Sequence, residues 1–102
     1  MSKVISKAQL VDVLTQWQLG RINVEKMQIW MIDNFEPDEF SIGKGESEHI
    51  VEAMHIVMNE YELVDETKCL TSGAQLAIDF VNSTSDTFMS TRGAFLRNGF
   101  KD

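Results

Sequence analysis

Residues 17–35, WQLGRINVEKMQIWMIDNF, hold both tryptophans of the chain and its clearest helix stop and restart. Gly20 suits the left-handed residue just past a helix end, because it lacks the Cβ that penalises that conformation. Asn23 is a good N-cap, its side-chain oxygen accepting from an orphan backbone N–H of the next helix. Ile22 and Met27 then have the spacing of a hydrophobic staple. A connection of about four residues favours antiparallel neighbours. The stretch therefore predicts a helical hairpin, and with it an all-α fold: an antiparallel bundle of four to five helices around the Trp17 and Trp30 helices.

Working outward, residues 6–19 read as the first helix. Ser6 and Gln9 have capping-box spacing, and Leu10, Val13, Leu14 and Trp17 form one stripe at i, i+3, i+4, i+7. Asp12, Thr15 and Gln16 fall on the far side. In the second helix, 24–35, Val24, Met27, Trp30, Met31 and Phe35 share a face. Ile29 and Ile32 lie off that stripe, leaving a narrow polar strip near Lys26 and Asp33. A helix apolar on two sides is either central in its bundle or partly covered by a partner, so Ile29 and Ile32 are the candidate oligomer contact. Glu36-Pro37 ends this helix, since the residue before proline is pushed out of helical geometry.

Residues 36–46, EPDEFSIGKGE, read as a loop with Phe40 and Ile42 tucked onto the core. A third helix follows from Ser47 to Tyr61 or Glu62, buried through Ile50, Ala53, Met54, Val57 and Tyr61, with Leu63 and Val64 leaving it to cover its end. A fourth covers 68–82, its start at Thr67 or at Ser72, with Leu70, Ala74, Ala77 and Val81 on one stripe. NSTSDT at 82–87 breaks the pattern. A short fifth helix, 86–97, docks through its phenylalanines.

The chain of 102 residues, 43% hydrophobic, has material for one core and one domain, residues 1–102. No apolar run approaches the roughly 18–20 residues that span a bilayer, so no membrane role is expected. MSKVISKAQL lacks a secretory h-region, which makes the cytoplasm the expected location. The net charge of −7 is unevenly spread: residues 33–66 carry eleven acidic side chains against Lys44 alone. Such a surface repels phosphates, which argues against direct nucleic-acid binding, and steers a basic partner.

Catalytic and cofactor chemistry find little footing. No serine sits in a Gly-x-Ser-x-Gly turn, and nothing links Cys69, the single cysteine, to either histidine; beside Leu70 it reads as a buried, inert thiol. Glu46-x-x-His49 and Glu52-x-x-His55 have the i, i+3 spacing that lets a carboxylate and an imidazole share a cation. Both pairs lie on one helix, however, whereas di-metal sites draw them from facing helices. Gly43-Lys44-Gly45-Glu46-Ser47 precedes a helix start but lacks the spacing of a phosphate loop. Asn82-Ser83-Thr84 matches a glycosylation acceptor, which carries little meaning without a secretory context. No cofactor is expected, no metal, and no enzymatic activity.

The candidate site is the acidic surface. Glu48, Glu52, His55, Asn59 and Glu62 lie within about 40° of one line on the polar side of the third helix, by the 100° step per residue. Asp38 and Glu39 stand nearby in the preceding loop, and Glu60, Asp65 and Glu66 near the helix end. A charged face of this kind is often no more than a solubilising surface; its functional reading is a docking face for a cationic protein.

The apolar helix, the Gly-Arg-Ile-Asn turn and Met-x-x-Trp-Met, spanning Leu10 to Phe35, resemble small bacterial immunity proteins of the colicin D inhibitor type. That resemblance implies a small helical bundle whose acidic surface occupies the basic active site of a nuclease toxin. It assigns no binding residue, so the acidic positions rest on charge alone. Two functions follow as expectations: a non-enzymatic acidic binding protein of immunity type facing a basic, toxin-like partner, or a structural domain that forms a homodimer through its second helix.

Overall fold

The computed structural model describes residues 3–35 and 40–101. Chain order is β1 (Lys3–Ile5), α1 (Lys7–Gln18), α2 (Val24–Asn34), β2 (Phe40–Ile42), α3 (Glu48–Leu63), a 3-10 turn (Glu66–Lys68), α4 (Thr71–Val81) and α5 (Phe88–Asn98). The architecture is an all-α bundle of five helices with one small sheet at its edge.

The hairpin turn forms through the interactions its sequence offers. Ser6 Oγ accepts from the Gln9 N–H at 3.1 Å while Gln9 Oε1 accepts from the Ser6 N–H at 2.8 Å, closing the capping box of α1. At its other end Gly20 has φ +75°. The Gly20 N–H donates to the Trp17 carbonyl and the Arg21 N–H to that of Gln16, at 3.0 and 2.9 Å, satisfying two carbonyls the helix leaves open. Asn23 Oδ1 then caps α2 by accepting from the Lys26 N–H at 2.8 Å. Met27 is fully buried and Ile22 packs against the core.

Local success did not extend to how the helices are arranged. The long α3 is the central helix, packed against α2, α4, α5 and β2, whereas α1 lies chiefly on α4. Helix α2 sits at the margin. Met27 and Met31 are buried, but Trp30 is only half-buried, and Ile29 and Ile32 are 46% and 49% exposed. The expected Trp17–Trp30 core hairpin is thus corrected: Trp17 belongs to the core, and Trp30 stands at its rim.

The N-terminal strand and the loop strand were not expected. They pair in parallel with Ile5 opposite Ile42, both buried, and the Gly43 N–H donates to the Ile5 carbonyl at 2.8 Å. Parallel pairing needs a crossover between the strands, which α1 and α2 provide. Three-residue strands lie below what alternation can reveal in a sequence, so residues 40–42 read only as loop. Ile42 is tucked in as expected; the Phe40 side chain, like residues 36–39, lies outside the described set.

Smaller corrections concern helix ends. α4 begins at Thr71 with Leu70 as its cap residue, so the Ser72 start signal is unused. Leu63 is the last residue of α3 and is 74% exposed, leaving Val64 alone to cover the end. The fifth helix docks through Phe95, fully buried, with Phe88 and Leu96 packed on the core; Met89 is exposed.

Near the C-terminus the fold closes on backbone. The Lys101 N–H donates to the Lys68 carbonyl, Cys69 bridges Phe100, and α4 passes close beneath Gly99. A Cβ at Gly73 would collide with the Gly99 carbonyl oxygen. Gly73→Ala must displace backbone and should destabilise by about 2–3 kcal/mol. Gly20→Ala meets open space and only the left-handed backbone penalty, about 1 kcal/mol. Urea unfolding of the two variants checks that order.

Candidate interaction surfaces

Helix α3 divides cleanly into two sides. Ile50, Ala53, Met54, Val57, Met58 and Tyr61 face the core, which by helical geometry turns Glu48, Glu52 and Asn59 outward. All three are exposed, and Glu62 is half-buried beside them. His55 shares the line but leans inward, its ring edge-on at 5.7 Å to Phe35, the residue that follows α2. The proposed site residues of α3 therefore share one face, about 21 Å long from Glu48 to Glu62 at 1.5 Å per residue. Asp38 and Glu39 fall outside the described residues.

The charges on this face lack internal compensation. Among the described residues the ion pair found is Lys7 with Glu46, at 3.9 Å, and it involves no carboxylate of α3. The helix has Glu48 in its first turn, where the positive end of the backbone dipole favours it. Its last turn has no basic residue, yet Glu60 and Glu62 stand there, at the negative end, followed by Asp65 and Glu66.

Of the two Glu–His pairs, Glu46–His49 is used within the fold. Glu46 faces Lys7. His49 places Nε2 3.1 Å from the Ser83 carbonyl oxygen and Nδ1 3.3 Å from Ser47 Oγ, so both ring nitrogens have protein neighbours. Among the described residues no group of three or more His, Cys, Asp or Glu side chains converges as a metal cage would. In the glycine-rich turn the Gly43 and Glu46 amides donate to the Ile5 and Gly43 carbonyls, which removes them from any anion. Ser83, within the glycosylation-like triplet, is buried.

A second surface escaped sequence reading. Between α1 and α2 an open groove of about 570 Å³ has Val13, Ile22, Ile29 and Trp30 as its apolar lining and Asp12, Gln16, Lys26 and Asp33 among its polar walls. The sequence did flag Ile29, Ile32 and the strip of Lys26 and Asp33. It gave no sign that α1 and α2 splay apart, because that depends on what each packs against on its other side. No helix among the described residues is long and apolar enough to cross a membrane. The chain matches no family model, no curated protein and no solved structure.

Strongly shifted titration often marks chemistry, but here the shifted groups are structural. Burial pushes the Tyr61 hydroxyl far above its ordinary value, with a smaller contribution from Cys69. Burial likewise pushes the Cys69 thiol up to about 11, helped by Glu66 and Asp65. A raised thiol pKa means less thiolate, hence a poor nucleophile. Alkylation of Cys69 by iodoacetamide at pH 7.5 should be roughly 100-fold slower in the folded protein than in urea, because the folded thiol titrates near 11 rather than near its ordinary value of about 9; equal rates would contradict the packing described.

Proposed function

We propose that this chain is a non-enzymatic, cytoplasmic binding protein of immunity type, which engages a basic, toxin-like protein through the outer face of α3. One observation carries the proposal. Glu60 and Glu62 stand at the helix end where negative charge is unfavourable, and no basic side chain is placed in that turn. Carboxylates there cost stability through the helix dipole, and Glu48 with Glu52 adds like-charge repulsion at i, i+4. A face arranged for stability alone would interleave lysines; this one keeps its negative field intact. A cationic surface relieves both terms on docking, and the clustered charge accelerates its approach. Exposed Glu48, Glu52 and Asn59 supply the reach, with Glu62 and His55 at the edge of the face.

The proposal is tested by exchanging charge without touching the core. Wild-type protein immobilised and exposed to lysate of its native host should retain a cationic protein at about 50 mM salt and release it near 1 M, where the Debye length shrinks to about 3 Å. The Glu48→Lys, Glu52→Lys, Glu62→Lys triple variant should keep its far-UV circular dichroism and lose that protein. Retention by the triple variant, with unchanged salt dependence, would sink the proposal. Glu62→Lys alone should raise stability by about 0.5 kcal/mol while weakening binding, a trade that a purely solubilising face would not show.

A further inference from the structure

The strip of α2 that lines the groove against α1 reads Lys26, Ile29, Trp30, Asp33, at i, i+3, i+4 and i+7, so the four side chains share one face of the helix. Laid antiparallel on a copy of itself, with a two-fold axis passing between Ile29 and Trp30, this strip is self-complementary. Lys26 of each copy then meets Asp33 of the other, and Ile29 of each meets Trp30 of the other. We infer that this strip is the contact through which two copies of the chain associate, in an isologous dimer of the kind a two-fold axis imposes.

Three features of the molecule support a second copy over another occupant. Ile29 and Ile32 are 46% and 49% exposed, next to the half-buried Trp30. Among the described residues neither Lys26 nor Asp33 takes part in an ion pair, so both charges stay available for an opposite number. The four residues of the strip line the open groove of about 570 Å³ together with Asp12, Val13 and Gln16 of α1, which leaves the strip accessible to a second copy. A basic peptide would be drawn by Asp12 and Asp33 but opposed by Lys26, which stands in the same groove. Only a partner carrying an acid two turns, about 10 Å, from its own lysine matches both signs. α2, at 11 residues, is short, and its contact area falls at the low end of specific interfaces. The dimer is therefore concentration-dependent, and it does not depend on the binding reading of α3.

Sedimentation equilibrium across micromolar to millimolar concentration tests the pairing. The wild-type chain should move from 11.6 kDa towards twice that mass. Lys26→Asp and Asp33→Lys should each hold the protein monomeric at concentrations where the wild type is mostly dimeric. The double variant Lys26→Asp, Asp33→Lys restores the pairs in reverse and should restore the dimer. Far-UV circular dichroism confirms that each variant, altered only at exposed positions, keeps its helices. A wild type that stays monomeric throughout overturns the inference. So does a dimer indifferent to either single exchange, or a double variant that fails to recover.

Discussion

The phenol ring of Tyr61 has no exposed surface and its hydroxyl has no hydrogen-bond partner among the described residues, yet the helices converge on it. Trp17 of α1 meets it edge-on at 5.5 Å, Phe95 of α5 at 5.6 Å, and Phe100 lies at 5.4 Å. Phe80 of α4 joins through Phe95, stacked at 6.1 Å. An unpartnered buried hydroxyl costs about 1–3 kcal/mol. Burying an aromatic ring contributes about 1.5–3 kcal/mol, and each good aromatic pair adds about 0.5–1.5. With three neighbouring rings the contacts outweigh the orphaned oxygen. Tyr61 is a packing residue whose polar atom the fold tolerates, which is why its strong shift carries no chemistry.

Gln28 sets the position of α2 relative to this cluster. Its side-chain amide donates to the Tyr61 and Val64 carbonyls at 3.0 and 2.8 Å, satisfying oxygens that the end of α3 leaves open. With Met27 and Met31 buried on the same helix, α2 is tied to α3 on its inner side. Meanwhile α1 is drawn towards α4, where Gln18 and Gln75 side chains meet at 2.9 Å. The two helices of one hairpin are thus pulled by different neighbours. The groove between them and the exposure of Ile29 and Ile32 follow from that division.

What the sequence made legible was what short-range physics decides. The Ser6 box, the Gly20 turn and the Asn23 cap each involve partners within five residues, so residue type and spacing suffice. The stripe of α3 was equally plain, since 16 residues give several turns of repetition. The strands could not be read: Lys3–Ile5 and Phe40–Ile42 owe their conformation to each other, across 37 residues of sequence. Nor could the rank of α2. Apolar residues on two sides fit a central helix as well as an edge helix awaiting a partner, and only the tertiary arrangement separates these. For the candidate site, the outward line of Glu48, Glu52 and Asn59 was foreseen, whereas the inward lean of His55 depended on Phe35 arriving beside it.

The two surfaces use different sides of the molecule, and the His55–Phe35 contact marks the boundary. Phe35, the residue that follows α2, meets His55 of α3, while the Lys26–Asp33 strip lines the groove against α1. In the dimer inferred above, a second copy seated on that strip would leave the carboxylates of α3 uncovered. Charge would then act in two ways. Across the α2 contact each sign would meet its opposite, so orientation would be fixed locally, whatever repulsion the net −7 of each chain exerts at longer range. On α3 no ion pair among the described residues supplies the opposite sign, and the field extends into solvent over roughly a Debye length, ~8–10 Å at physiological salt. A dimer so built would display two such fields, and a cationic partner that met both in one assembly would gain from the second contact as an intramolecular event.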